Sequence, residues 1–208
     1  MTKHNYSQQT SRAMTKLLVL SALLGSLGGC APLLVGGTVA VVAIVATDRR
    51  TSGAILDDEA IEVRAVARIR DKIGERGHIN VTSYNKRVLL TGEVSNEQVK
   101  QLAERLVFEV ENVKLVINEV AAMDGSSLQQ RSSDAIITGR VKASMVDTSD
   151  FRSSNLFKVV TERGVVYLMG RVTQREADRG TDIARSVSGV VKVVRSLEII
   201  TEEEARRQ

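Results

Sequence analysis

Apolar residues recur every four positions at Ile61, Ala65, Ile69 and Ile73, and again at Ile137, Val141 and Met145, the spacing of a helix with one buried stripe. Asp57-Asp58 precede the first stripe and Ser133-Asp134 the second, and the spacing predicts that each opens its helix by accepting from free amides. The period then falls to two. Runs 79–84 and 88–94, joined at Asn85-Lys86-Arg87, read as a hairpin, as do 156–161 and 165–172, joined at Glu162-Arg163-Gly164. Asn85 and Gly164 suit the positive φ of such turns. Helical spacing returns from Ser95, with Val99, Leu102, Leu106 and Val110 facing inward, and from Thr173, with Ala177, Ile183, Ala184 and Val187. A last strand, 113–120 or 190–200, completes each unit.

The two units are an internal repeat displaced by 76 to 78 positions: Ile61 matches Ile137, Leu90 matches Leu168 and Val110 matches Val187. The fold class is therefore α+β, with two tandem small αββαβ domains at 56–123 and 132–200, each a three-stranded sheet with two helices on one face. Residues 124–131 read as a linker and 201–208 as a charged, frayed tail.

Upstream the pattern changes to a targeting signal. Arg12 and Lys16 flank the apolar stretch Leu17 to Leu27, and Leu27-Gly28-Gly29-Cys30 closes it. The stretch is shorter than the ~20 residues a membrane span needs. Residues 1–29 read as a lipoprotein signal peptide, Met14 being an alternative start, and Cys30 as the lipidated residue of the mature chain. An ordinary signal peptide with an incidental cysteine is the alternative. Ala31 stands where sorting signals for inner-membrane retention carry Asp, so the resemblance to such signals implies the outer membrane, with the domains facing the periplasm. Residues 30–55 form a linker, and 32–47 carry no charge.

Charge and composition narrow the chemistry. Cys30 is the one cysteine, so no disulfide can form within the chain, and with aromatics at 3% the cores must be aliphatic. Removing residues 1–29 takes three of the 29 basic residues and no acid, leaving 26 basic against 25 acidic. The halves differ: 57–123 holds ten basic and twelve acidic residues, net −2, and 132–200 eleven and eight, net +3. The second half suits an anionic surface, although such a difference also serves simply to solvate two small domains.

The strand endings Leu90-x-Gly92-x-Val94 and Leu168-x-Gly170-x-Val172, together with Gly189-Val190-x-x-Val193 leading into the last strand, resemble the BON domain of bacterial envelope proteins. Two such domains behind a lipobox resemble dual-BON outer-membrane lipoproteins. The resemblance implies a non-enzymatic protein that binds anionic phospholipid (phosphatidylglycerol, cardiolipin) through its second domain, supports outer-membrane integrity and gathers at the division site. The candidate lipid-binding residues are Ile136, Ile137, Arg140 and Lys142. Ile136 lies one position off the core stripe and four before Arg140, so an apolar tip and a cation share one flank. The alternative is that Ile136 widens the buried stripe.

Other chemistries find little support. His78 is the one histidine beyond the signal, so no metal set can be built from the usual His and Cys ligands, and no cofactor is implied. The clusters Asp57-Asp58-Glu59 and Glu202-Glu203-Glu204 have no partner acid that spacing positions. A near-neutral chain with few aromatics argues against nucleic acid, and nothing suggests a small-molecule substrate. The other function class that fits is a periplasmic protein-interaction scaffold recruiting an envelope assembly or peptidoglycan-remodelling partner through exposed sheet edges or helix faces.

Overall fold

The computed structural model describes residues 48–146 and 156–207. Each repeat forms helix, strand, strand, helix, strand. The first holds α1 (Ser52–Ile73), β1 (Gly77–Tyr84), β2 (Arg87–Val94), α2 (Glu97–Phe108), β3 (Leu115–Asn118) and β4 (Ala121–Ala122). The second holds α3 (Leu128–Val146), β5 (Lys158–Glu162), β6 (Val165–Val172), α4 (Gln174–Ser186) and β7 (Lys192–Ile199), and α5 (Glu202–Arg206) ends the chain. The expected fold class holds.

In each sheet the middle strand is the hairpin's second. β1 pairs antiparallel with β2, and the crossover through α2 returns β3 parallel to it, with β4 continuing beside β2. β5, β6 and β7 repeat the pattern, with the last strand unbroken where that of the first sheet is in two pieces. The glycine of the Leu-x-Gly-x-Val motif has a steric cause. A Cβ on Gly92 would lie 2.1 Å from the carbonyl oxygen of His78, and one on Gly170 2.4 Å from that of Leu156.

The expected helix starts need correction. α1 begins at Ser52, where the Thr51 hydroxyl accepts from the Ala54 N–H at 3.1 Å, and α3 begins at Leu128, where the Ser127 hydroxyl accepts from the Gln130 N–H at 3.2 Å. Asp58 and Asp134 instead lie inside their helices, buried. Asp58 accepts the N–H groups of Asn85 and Lys86, each at 2.7 Å, and the Ser83 hydroxyl at 2.6 Å. Asp134 accepts the N–H groups of Arg163 and Gly164, each at 2.8 Å. Those four residues are the hairpin turns, all at positive φ between 50° and 73°, which leaves two neighbouring amides outside the ladder. Each aspartate therefore ties a first helix to its hairpin, a tertiary role rather than a cap. The acidic tail is also ordered: Thr201 and Glu204 form a capping box that starts α5.

Two aliphatic cores lie between helices and sheets, one around Ile61, Ala65, Leu90 and Val107, the other around Val141, Leu168, Ala177 and Ala184. A third cluster joins Tyr84 and Leu89 to Tyr167 and Met169, with Ile117, Val160, Val165 and Val194 packed against it. These are the sheet faces that point away from the helices. The two sheets thus stack on one another, and the layers run helices, sheet, sheet, helices. Polar contacts border the apolar contact: Arg163 Nη1 to Glu93 at 3.2 Å, Asn80 Nδ2 to Glu162 at 3.2 Å, Lys158 Nζ to Glu62 at 2.8 Å and Asn85 Nδ2 to Glu198 at 2.6 Å.

Candidate membrane-contact face

α3 carries the residues singled out for lipid contact, and its geometry separates them. Asp134, Ile137, Val141 and Met145 form its buried side. Ile137 is 5% exposed, belongs to the second domain's core, and sits so close to Gly189 that a Cβ there would meet it at 3.0 Å. It cannot reach a surface, and its place among the lipid-binding candidates is corrected to that of a core residue.

Ile136 is 52% exposed, so it does not widen the buried stripe. With 3.6 residues per turn, Arg140 stands about 40° around the helix from Ile136, and Lys142 lies on the opposite flank. Both cations are exposed. Between them run Ile136, Gly139 and Ala143, and a Cβ on Gly139 would meet nothing within 4 Å. Leu128 and Val146, at the two ends of the helix, are exposed beside this strip. Those two residues escaped the sequence reading because it began the helix at Ser133 and followed the core stripe alone. Their signal is the helical spacing 128, 135, 139, 142, 146.

The charge of this face follows from where its acid goes. Within α3 the basic residues are Arg131, Arg140 and Lys142, and the sole acid is Asp134, buried against the hairpin turn. The outer face therefore presents apolar side chains, the neutral Gln129 and Ser132, and cations, with no carboxylate of its own. Such a face can lie on an anionic interface, its apolar tips entering while the cations meet headgroups. Cys30, the expected lipidation site, lies outside the described residues.

His78 lines a shallow groove with Asn80, Arg131, Thr138 and Glu162. Among the described residues no group of three His, Cys, Asp or Glu side chains could hold a metal ion, and no helix is long and apolar enough to cross a membrane.

Comparison with known proteins agrees with the architecture. The BON domain profile matches residues 57–122 and 133–201. The chain is 40% identical over 187 residues to the outer membrane lipoprotein DolP of Haemophilus influenzae, covering 88% of this chain and 96% of that protein. It is 31% identical over 155 residues to a 21 kDa hemolysin of Actinobacillus pleuropneumoniae, covering 74% and 79%. It is also 31% identical over 149 residues to osmotically-inducible protein Y of Escherichia coli, covering 70% and 74%. With two profile matches on the two αββαβ units, and similarity to DolP along nearly the whole chain, the protein belongs to the BON-domain family as a dual-BON, DolP-like member.

Proposed function

We propose that this chain is a non-catalytic outer-membrane lipoprotein that docks its second BON domain on anionic phospholipid through the outer face of α3, and thereby supports outer-membrane integrity, including at the division site. The observation that carries the reading is the face itself: Ile136 stands exposed beside Arg140, and the helix's one acid is buried. Each basic residue near an anionic surface contributes ~1 kcal/mol, so the two or three cations here give weak docking. An acyl anchor at Cys30 raises the effective concentration of that docking.

The test is co-sedimentation of residues 44–208, without the anchor, on vesicles with and without phosphatidylglycerol at low and high salt. The expected result is binding that needs the anionic lipid, weakens with salt and is lost in Ile136→Asp and Arg140→Glu. Binding unchanged in both variants would reject this face.

A second reading, a periplasmic scaffold for an envelope partner, draws on the first domain. Phe108 and Leu115 are exposed beside an open groove along α2 and β3, lined also by Gln101, Glu104 and Arg105. The repeat places Arg185 and Lys192 at the matching positions of the second domain, so the fold itself does not require apolar residues there. Loss of a cross-linked envelope partner in Phe108→Glu, with vesicle binding intact, would favour this reading.

A further inference from the structure

The helix that opens the first domain is apolar on two opposite sides. Its buried stripe, Ile61, Ala65 and Ile69, faces the sheet. On the far side Leu56 is 71% exposed and Val63 69%, beside the half-buried Ala60 and Ala67, and Val66, 48% exposed, extends the stripe along the flank that holds Glu59 and Arg70. A helix that is amphipathic against its own core has no need of this second stripe. The stacking of the two sheets puts α1 and α3 in opposite outer layers, so this stripe lies on the other side of the molecule from the face proposed to meet lipid.

Two charges lie within the stripe, and they are placed symmetrically. Glu59 and Arg70 are both exposed, and they stand eleven residues apart in sequence, about 16 Å along the helix. A two-fold axis between residues 64 and 65 brings Glu59 of one copy opposite Arg70 of the other, and the same pair recurs on the far side of the axis. Val63 then faces Val66 at the centre, and the small side chains of Ala60 and Ala67 let the helices approach closely. Arg70 has a competing contact with Asp71, but at 3.7 Å between exposed side chains it is weak. The order acid, apolar centre, base is what an isologous antiparallel contact requires.

We infer that the outer face of α1 is a self-association surface, on which a second copy of this chain docks its own α1 antiparallel, with Glu59 and Arg70 setting the register. A single helix pair buries little area, so the contact is weak and forms where copies are concentrated, as on a membrane. The inference does not depend on lipid docking, because each copy's α3 face stays uncovered.

The test is disulfide trapping of the full acylated chain in purely zwitterionic vesicles, which contain no anionic lipid and no other protein. Ala60→Cys mixed with Ala67→Cys brings the two thiols together across the proposed axis, whereas Ala60→Cys alone keeps them about 13 Å apart along the helix. The chain without an added cysteine reports any bond through Cys30. We expect a dimer in the mixture and little with Ala60→Cys alone. Adding Glu59→Arg or Arg70→Glu to both partners should lower the yield several-fold, and the Glu59→Arg/Arg70→Glu double variant should restore it. Absence of dimer at every protein-to-lipid ratio, equal trapping by Ala60→Cys alone, or failure of the double variant to restore the yield would each overturn the inference.

Discussion

Arg49 and Glu176, 127 positions apart, form a two-pronged ion pair: the guanidinium donates to both carboxylate oxygens, at 2.6 and 2.8 Å. Arg49 also donates to the carbonyl of Arg171 at 3.1 Å, and Arg171 returns a bond to the carbonyl of Arg49 at 3.0 Å. The next residue reaches the other domain. Arg50 donates to Asp58 at 2.7 Å and lies 4.2 Å over the Tyr84 ring. Two consecutive residues upstream of α1 thus hold both domains, reinforcing the stacked sheets.

Arg49→Ala should destabilise the chain by about 1–3 kcal/mol, because Glu176 would keep its buried position and lose its cation. Arg49→Lys should recover part of this, since an ammonium cannot match both oxygens. The pH dependence has a definite sign. Burial opposes ionisation of Glu176, but the bonds from the Arg49 side chain and the Thr173 N–H outweigh it and hold its pKa below the ordinary 4.5. A carboxylate depressed in the folded state contributes stability above about 4.5 that is lost as pH falls through the folded value. Urea unfolding from pH 7 to pH 3 should show the Arg49→Ala deficit shrinking across that window.

Asp58→Ala and Asp134→Ala should each cost about 3 kcal/mol, since each leaves two turn amides without their acceptor. The asparagine variants keep one acceptor oxygen and should cost less. Hydrogen exchange of the turn amides, at Asn85 and Lys86 or at Arg163 and Gly164, localises the effect: protection should fall there first. A loss spread evenly through the domain would contradict the helix-to-hairpin tie.

The repeat, the element order and both hairpins were legible because each rests on local periodicity. The stacking of the sheets was not read, although β6 carried a sign of it: Val166, Tyr167, Leu168 and Met169 are apolar on both faces, which a half-solvated strand would not be. In β2 the signal was masked by Thr91 and Glu93, polar residues buried against the neighbouring domain and its Arg163. Asp58 and Asp134 misled for a related reason. An acid ahead of an apolar stripe looks the same in sequence whether its acceptor oxygens serve its own helix or a turn some thirty residues away. At the candidate face, Ile136 and Arg140 were legible from helical spacing. Ile137 was placed wrongly there because it adjoins Ile136 in sequence while pointing into the core.

Two glycine substitutions in the second domain should have opposite signs. Gly139→Ala adds a methyl where nothing lies within 4 Å and replaces a poor helix former, so it should stabilise by about 1 kcal/mol. Gly170→Ala drives a Cβ to 2.4 Å from the Leu156 carbonyl and forces β5 from β6, for a loss of about 2–3 kcal/mol. Thermal unfolding of the two variants beside the parent chain decides both.

Glu162 gives the interface between the sheets its own pH dependence. It is buried on β5, receives Asn80 Nδ2 from the first domain at 3.2 Å, and shares its surroundings with Glu93 and Asp134. Burial raises its pKa first and the Glu93 charge raises it further, while Asn80 and Arg163 pull the other way without reversing the shift. An acid raised in the folded state favours folding when protonated and costs stability as pH climbs from the unfolded value through the folded one. Glu162→Gln removes that cost and keeps an oxygen for Asn80. The variant should match the parent at pH 4 and unfold higher at pH 7, by roughly 2–4 °C if about 1 kcal/mol is recovered. A lower midpoint at pH 7 would mean that the bond from Asn80 and the attraction of Arg163 need the full charge, and that the carboxylate holds the two domains together rather than straining them.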